Sequence, residues 1–320
     1  MTLASEQLVQ SLVDILETND TDVYVLDTNV VGVDFFYGEH NKVSLFCPRL
    51  ARKNNIVKKE VRRHAQNVAM FLEMVRAHET LETTQQTIKE LTERNRLFKD
   101  ASAQYGERGK YRERHGKYDH KKYTQPFHKL SRKIESEKTM LREIMEKEVA
   151  ILDILRTRVY APEERKVQAF KELAMLAYDN CSRRIAEDKE RKNYNDEAIV
   201  AAALYRATVD DKGVVIISRD KDLEITVREI TRCVHAKNGN VPLFLGALRK
   251  GKISIAHDAN TERRYKIAWS SGDYRPNHPF HIPERLRNAV GICEAVIRAA
   301  RTSAMPQPEP EAQILYTART

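Results

Sequence analysis

Four acidic residues stand where a carboxylate could take part in chemistry, although they are far apart in the chain: Asp27, Glu60, Asp196 and Asp220. Two of them follow apolar runs that predict buried strands, Val23 to Leu26 and Val214 to Ile217. A third directly precedes the apolar helix predicted for 198–205, and Glu60 lies on a basic helix. Side chains just past the carboxyl ends of neighbouring parallel strands gather in one crevice, so these acids can converge. Converged carboxylates repel one another, and a bound divalent cation is the usual remedy.

Such a set of carboxylates is suited to cleaving a phosphodiester bond. That reaction needs an activated water and neutralisation of the charge that builds on the phosphate oxygens, and one or two cations supply both. We expect Asp27 and Asp220 to bind the cation directly. Asp196, as a further metal ligand, and Glu60 would complete the site directly or through water, and Asp222 would be another ligand or orient a bound water. Oxygen-only ligands predict Mg²⁺ or Mn²⁺.

The same acids, with their neighbours, resemble the motifs of the PIN-domain nucleases. The family pattern is Asp-Thr-Asn after the first strand, Glu on an early helix, Asn-Asp opening a later helix, and Ser/Thr-x-Asp-x-Asp-Leu after a strand. Here it reads as Asp27-Thr28-Asn29, Glu60, Asn195-Asp196 and Ser218-Arg219-Asp220-Lys221-Asp222-Leu223. The resemblance implies that Thr28 and Asn29 support the site by positioning Asp27 or by touching a phosphate. Ser218 is either a phosphate contact or a buried hydroxyl at a strand end.

Two features depart from the family pattern. The segment between the predicted second strand, Lys42 to Cys47, and Glu60 is longer than the family leads us to expect. Glu73, further along the same predicted helix, is therefore the alternative acid. The long separation of Glu60 from Asp196 implies a large helical insertion.

The segment 98–133 is strongly basic and carries interleaved aromatic residues. It contains eleven Lys and Arg against four Asp and Glu, an excess of seven, which is most of the chain's net charge of +9. Cations neutralise phosphates and aromatic faces stack on bases, the combination that binds single-stranded nucleic acid with little sequence preference. The expected contacts are Lys110, Tyr111, Arg112, Arg114, Lys117, Tyr118, Lys121 and Lys122. The alternative is a solvated loop whose charges only keep it soluble.

The predicted elements divide the chain of 320 residues into a core with additions. We expect 1–62 and 190–256 to form a PIN-like, three-layer α/β/α core with a mainly parallel central sheet. Residues 63–189 would form a long α-helical hairpin inserted into that core. Residues 257–301 would be a small C-terminal α+β extension, and 302–320 a disordered tail.

Composition narrows the class of protein. The four cysteines are isolated, without a C-x-x-C pair, which argues against a disulfide framework or zinc site and favours a reducing, cytoplasmic setting. No apolar run approaches the ~20 residues needed to span a bilayer, and no secretory signal is visible, so we expect no membrane partner. The excess of positive charge favours nucleic acid as the partner.

These observations predict a metal-dependent endonuclease acting on single-stranded RNA, with the helical insertion clamping the strand. RNA is favoured over DNA because, as the resemblance implies, small PIN domains are most often ribonucleases. A structure-specific, flap-type DNA nuclease is the first alternative, since 5′ flap endonucleases share this core and carry a helical arch. A nucleic-acid-binding protein that has kept the scaffold and lost cleavage is the second. Contact of the insertion with another copy of the chain or with a protein partner stays open.

Overall fold

Residues described by the computed structural model are 4–31, 54–93, 138–162, 164–185, 195–237, 240–258, 264–275 and 282–303. The fold is mixed α/β, and six strands in these ranges form one sheet. They are β1 Val23–Leu26, β2 Leu81–Thr84, β3 Val159–Tyr160, β4 Val214–Ser218, β5 Ile253–Asp258 and β6 Tyr265–Ser270.

The strand order is β3-β2-β1-β4-β5-β6. The first five strands in this order, from β3 to β5, pair in parallel, and β6 pairs antiparallel with β5. The chain builds outward from β1 to β3 and then returns to the other side of β1 with β4. Strand order therefore reverses between β1 and β4, and the crevice beyond their carboxyl ends is where open α/β sheets bind ligands.

Helices cover both faces of the sheet. Their bounds are α1 Ala4–Thr18, α2 Thr28–Val31, α3 Asn54–Ala77, α4 Lys138–Arg156, α5 Glu164–Ile185, α6 Asn195–Thr208, α7 Lys221–Lys237, α8 Pro242–Arg249 and α9 Glu284–Ser303. Residues 85–93 are also helical. One buried cluster joins α1, α3 and α4 to the first face, and a second joins α5 to α9 to the other face.

The central strands are apolar throughout because both of their faces are buried. In β1, Tyr24 and Leu26 belong to the first cluster, whereas Val23 and Val25 belong to the second. Side chains alternate between the faces of a strand, so burial on both sides requires an unbroken apolar run. The polar residue that follows such a run marks the edge of the sheet.

The division of the chain differs from the one expected from the sequence. Residues 63–189 contribute β2 and β3 to the central sheet, and α5 packs in the second cluster. Helices α3 and α4 do pack against each other, but their apolar faces lie on the sheet. These described parts of the predicted insertion therefore belong to the layers of the fold. The sequence did not predict this, because strands of only four and two residues carry little pattern.

The C-terminal part of the chain also belongs to the same fold. Strand β6, placed by the sequence in a separate extension, pairs with β5, and α9 packs in the second cluster. Strand β6 also contacts α1: the backbone N–H of Tyr265 donates to Ser11 Oγ at 2.8 Å. Three predicted segments lie outside the described residues: the strand at 42–47, the whole basic segment 98–133 and the tail from residue 304. Among the helices that are described, none is long and apolar enough to cross a membrane.

Candidate active site at the carboxyl edge of the sheet

Asp27 and Ser218 meet at the point where strand order reverses. Asp27 directly follows β1 and is only 4% exposed, and Ser218 is the last residue of β4 and fully buried. The Ser218 hydroxyl donates to Asp27 Oδ2 at 2.6 Å. It also accepts from Asn29 Nδ2 at 3.2 Å and from the backbone N–H of Asp220 at 2.8 Å. Because a hydroxyl has one donor and two lone pairs, Ser218 uses its full hydrogen-bonding capacity to hold the site together.

Thr28 and Asn29 form the corner between β1 and α2. The backbone N–H of Val30 donates to the carbonyl of Asp27 at 3.1 Å, so the helix begins immediately after the strand. Asn29 Oδ1 accepts from the backbone N–H of Arg219 at 2.9 Å, while its amide reaches Ser218. Asn29 thus ties the corner after β1 to the loop after β4. Thr28 is buried beside it.

Asp220 lies in the loop between β4 and α7. Its Oδ1 accepts from the backbone N–H of Asp222 at 2.9 Å. That contact is the one an N-cap residue makes, and it fixes the start of α7 at Lys221. Asp222 is partly buried in the first turn of the helix.

The charges of Asp27 and Asp220 are coupled. The pKa of Asp27 is raised to about 6, mainly by burial and in part by the negative charge of Asp220, against the lowering effects of the Ser218 hydroxyl and of two backbone N–H groups. The Ser218 hydroxyl, which contacts the Asp27 carboxylate and the backbone N–H of Asp220, brings the two residues together at the sheet edge. A cation between them would relieve both the desolvation and the repulsion.

Asp196 and Glu197 lie in the first turn of α6. Residues 209–213 lead from the end of α6 to the amino edge of the sheet, where the N–H of Gly213 donates to Asp22 Oδ2. A helix of 14 residues is ~20 Å long, so its first turn lies toward the opposite, carboxyl edge. Glu197 is 2% exposed, whereas Asp196 is half-buried. The run Asn-Asp-Glu signalled an acidic helix start but not which acid would be the more buried.

The two candidate glutamates on α3 differ in what can be said of them. Glu60 lies in the helix as predicted, but its side chain is outside the described residues. Glu73 is on the same helix, is 71% exposed and pairs with Arg76 at 2.8 Å. This surface ion pair places Glu73 apart from the buried carboxylates.

The fit to a metal ion depends on the donor chemistry of Asp27 and Asp220. In the described ranges, no group of three or more His, Cys, Asp or Glu side chains is placed to hold a metal ion. Mg²⁺ is commonly held by only one or two carboxylates, with waters and substrate phosphates filling its other positions. Two close carboxylates, one of them buried, fit that mode of binding.

The predicted nucleic-acid contacts all lie outside the described residues: Lys110, Tyr111, Arg112, Arg114, Lys117, Tyr118, Lys121 and Lys122.

His257 is a site neighbour that the sequence analysis missed. It lies near the carboxyl end of β5, in register with Ser218 on β4. Its Nε2 lies 3.0 Å from Oε2 of Glu224, in the first turn of α7, and the two side chains are 13% and 14% exposed. A polar residue directly after the mostly apolar strand sequence Ile253-Ser254-Ile255-Ala256 was the available signal, as it was for Asp27.

Comparison of the chain with protein-family models, with curated proteins and with solved structures finds no match.

Proposed function

We propose that this protein is a metal-dependent nuclease that cleaves single-stranded nucleic acid internally, with RNA as the preferred substrate. The observation that carries the proposal is a buried carboxylate, Asp27, held beside Asp220 at the reversal of strand order. A structural role alone does not require Asp at position 27, because a neutral side chain there would avoid the desolvation of a charge. Ligand binding at a switch point gives that carboxylate a purpose.

Asp27 and Asp220 would hold the cation, Mg²⁺ or Mn²⁺, and Asp196 and Asp222 are the proposed further ligands. When bound, such a cation supplies an activated water and neutralises charge on the phosphate. Glu60 is retained as a proposed acid of the site from the family resemblance. The protein's own contribution is to hold the carboxylates together and to orient them.

Ser218 and Asn29 would position the carboxylates. The hydroxyl of Ser218 contacts both the Asp27 carboxylate and the backbone of Asp220, which supports a positioning role over a phosphate contact. Asn29 holds the same two loops from the other side. Such supporting contacts commonly change metal affinity or activity by 10- to 100-fold when removed.

Substrate binding is assigned to the basic segment 98–133 on its composition. Its cations and aromatic side chains suit a single strand of either nucleic acid. The preference for RNA comes from the family resemblance, and flap-type DNA cleavage is the competing outcome of the test below.

The test is cleavage of labelled single-stranded RNA, single-stranded DNA and a flapped duplex in Mg²⁺ and in Mn²⁺. Native protein should cut the RNA, and a chelator, Asp27→Asn or Asp220→Asn should each lower the rate by about 100-fold or more. Asp153→Asn is the matched control, because Asp153 is a surface acid paired with Arg156, and it should leave the rate unchanged. Tight, salt-sensitive binding without cleavage in either metal would instead make this a binding protein on a nuclease scaffold.

A further inference from the structure

Asp220, at the end of the loop after β4, and Asp222, in the first turn of α7, lie in a segment that is held from two sides. On the β1 side, Ser218 connects it to Asp27. On the β5 side, Glu224 in the first turn of α7 contacts His257. The first connection lies within the proposed site, whereas the second lies one strand further along the sheet.

The contact between His257 and Glu224 is sheltered from solvent. Both side chains are mostly buried, and Glu224 Oε1 is also 3.1 Å from a guanidinium nitrogen of the exposed Arg228. Water weakens such a sheltered polar contact less than it weakens a contact on the surface. It can therefore hold the helix start in one orientation.

Packing alone does not explain a histidine at position 257. Its Nδ1 is buried and makes no hydrogen bond within the described part of the chain. A buried nitrogen without a partner lowers stability, and such groups in native proteins call for an explanation. The contact of the other ring nitrogen with Glu224 is the role that the geometry offers.

That contact bears on the proposed ligands through a short chain of hydrogen bonds. Glu224 lies in the same helical turn as Asp222, whose backbone N–H donates to Asp220 Oδ1. The backbone N–H of Asp220 in turn donates to Ser218 Oγ. A shift of the first turn of α7 would therefore move the carboxylate of Asp220 relative to Asp27.

We propose that His257 is a positioning residue of this site. Through Glu224 it holds the first turn of α7, and thereby Asp220 and Asp222, in the orientation that binds the cation. The link to cation binding rests on the proposed function, whereas the mechanical link between His257 and the loop does not.

Backbone amide exchange at Asp220 and Asp222, followed by NMR, tests the mechanical link. His257→Ala should speed exchange at these amides by about five- to tenfold, the range expected for loss of one buried polar contact. His257→Gln should restore most of the protection, because its amide nitrogen occupies the place of the imidazole Nε2. Should His257→Ala fail to fold, Glu224→Ala removes the same contact from the helix side.

His235→Gln is the matched control. His235 lies at the other end of α7 with its ring against Tyr274, and its Nε2 is likewise buried without a hydrogen bond in the described ranges. This variant should leave exchange at Asp220 and Asp222 unchanged. Equal exchange rates in native protein and His257→Ala would overturn the proposal.

Affinity for Mn²⁺ alone, measured by electron paramagnetic resonance, separates the two proposals. His257→Ala should weaken Mn²⁺ binding by about the same five- to tenfold factor, and His235→Gln should not. Native protein that neither binds Mn²⁺ nor cleaves would refute the proposed function, while amide exchange still decides the role of His257. If native protein cleaves and His257→Ala leaves amide exchange at Asp220 and Asp222 unchanged, the positioning role alone would be overturned.

Discussion

Two polar clusters lie on the second face of the sheet, and they differ in how their charge is balanced. In the first, the guanidinium of Arg206 pairs with Glu82 on β2 and with Asp210, and lies 4.0 Å from the ring centre of Tyr160. The Tyr160 hydroxyl donates to Asp210 Oδ2 at 2.9 Å. Burial opposes the charge of Arg206, yet its two acidic partners hold its pKa above the ordinary value.

The second cluster, around Asp27, brings two like charges together. Asp27 is held by a hydroxyl and by backbone N–H groups, which stabilise its charge only in part, and its pKa is raised. The Arg206 cluster contains its own counter-charge and is suited to joining α6 to β2 and β3. The Asp27 cluster is stable only at a cost that a bound cation would offset, and this difference is why we propose it as the functional one.

Arg206→Ala should produce the largest loss of stability. It leaves Glu82 and Asp210 mostly buried without their cation, and breaking such a pair costs about 3 kcal/mol. Urea denaturation at pH 7 measures the loss. Arg156→Ala is the control, because its pair with Asp153 is exposed and should contribute less than ~1 kcal/mol. Similar losses in both variants would remove the contrast between the clusters.

Unlike the charge of Arg206, the charge of Asp27 should lower the stability of the metal-free protein, and this effect should depend on pH. Below pH 3.8 this residue is protonated in both states. Between pH 3.8 and about 6 the unfolded chain releases the proton while the folded protein keeps it, so stability falls as pH rises. The full effect, about 3 kcal/mol, is present above pH 6.

Metal-free Asp27→Asn isolates the contribution of Asp27 ionisation to the free energy of unfolding. Because Asn does not titrate, the stability of the variant relative to native protein should rise across the same interval and then level off. The measurement is urea denaturation from pH 3.5 to 7.5 with a chelator present. A constant difference across this range would show that Asp27 is not desolvated in the way described.

Ser218→Ala should have a smaller effect on stability and a clear effect on Asp27. It removes the hydroxyl that donates to the carboxylate and accepts from Asn29 and Asp220, at a cost of about 2 kcal/mol. The pKa of Asp27 should rise further, because its strongest side-chain stabiliser is gone. Carboxyl-carbon NMR titration of the variant checks this, and an unchanged pKa would exclude the positioning role of Ser218.

Asn29→Ala should have the smallest effect of the series, about 1 kcal/mol. It removes the bonds to Ser218 and to the backbone of Arg219 but leaves the contact between Ser218 and Asp27 intact. Thermal unfolding checks the size of the loss. A loss larger than that of Ser218→Ala would show that Asn29, and not Ser218, is the centre of the network.

The sequence predicted the parts of the fold that depend on local pattern. Strands β1 and β4 and helix α6 lie where apolar runs placed them, because strands buried on both faces have unbroken apolar sequences. Strand β2, with the sequence Leu-Glu-Thr-Thr, and the two-residue β3 carry no such pattern. Strand β2 forms by pairing with β1, and β3 by pairing with β2, and both pairings are long-range effects.

The candidate site divides in the same way. Strand-end acids could be found from the sequence because an acid after an apolar run is a local signal. The use of every hydrogen-bonding position of Ser218 was not predictable, since its partners Asp27 and Asn29 come from a distant part of the chain. His257 was missed for the same reason: only the register of β5 with β4 brings it beside the loop before α7.

The most direct test of the cation site compares unfolding of native protein and Asp27→Asn with and without Mn²⁺. If the two carboxylates hold a cation, Mn²⁺ at about 100 times its dissociation constant should stabilise native protein by about 2.7 kcal/mol. Asp27→Asn should be more stable than native protein without metal and should gain almost nothing from Mn²⁺. Equal stabilisation of both proteins by Mn²⁺, or of neither, would contradict the assignment of Asp27 and Asp220 as its ligands.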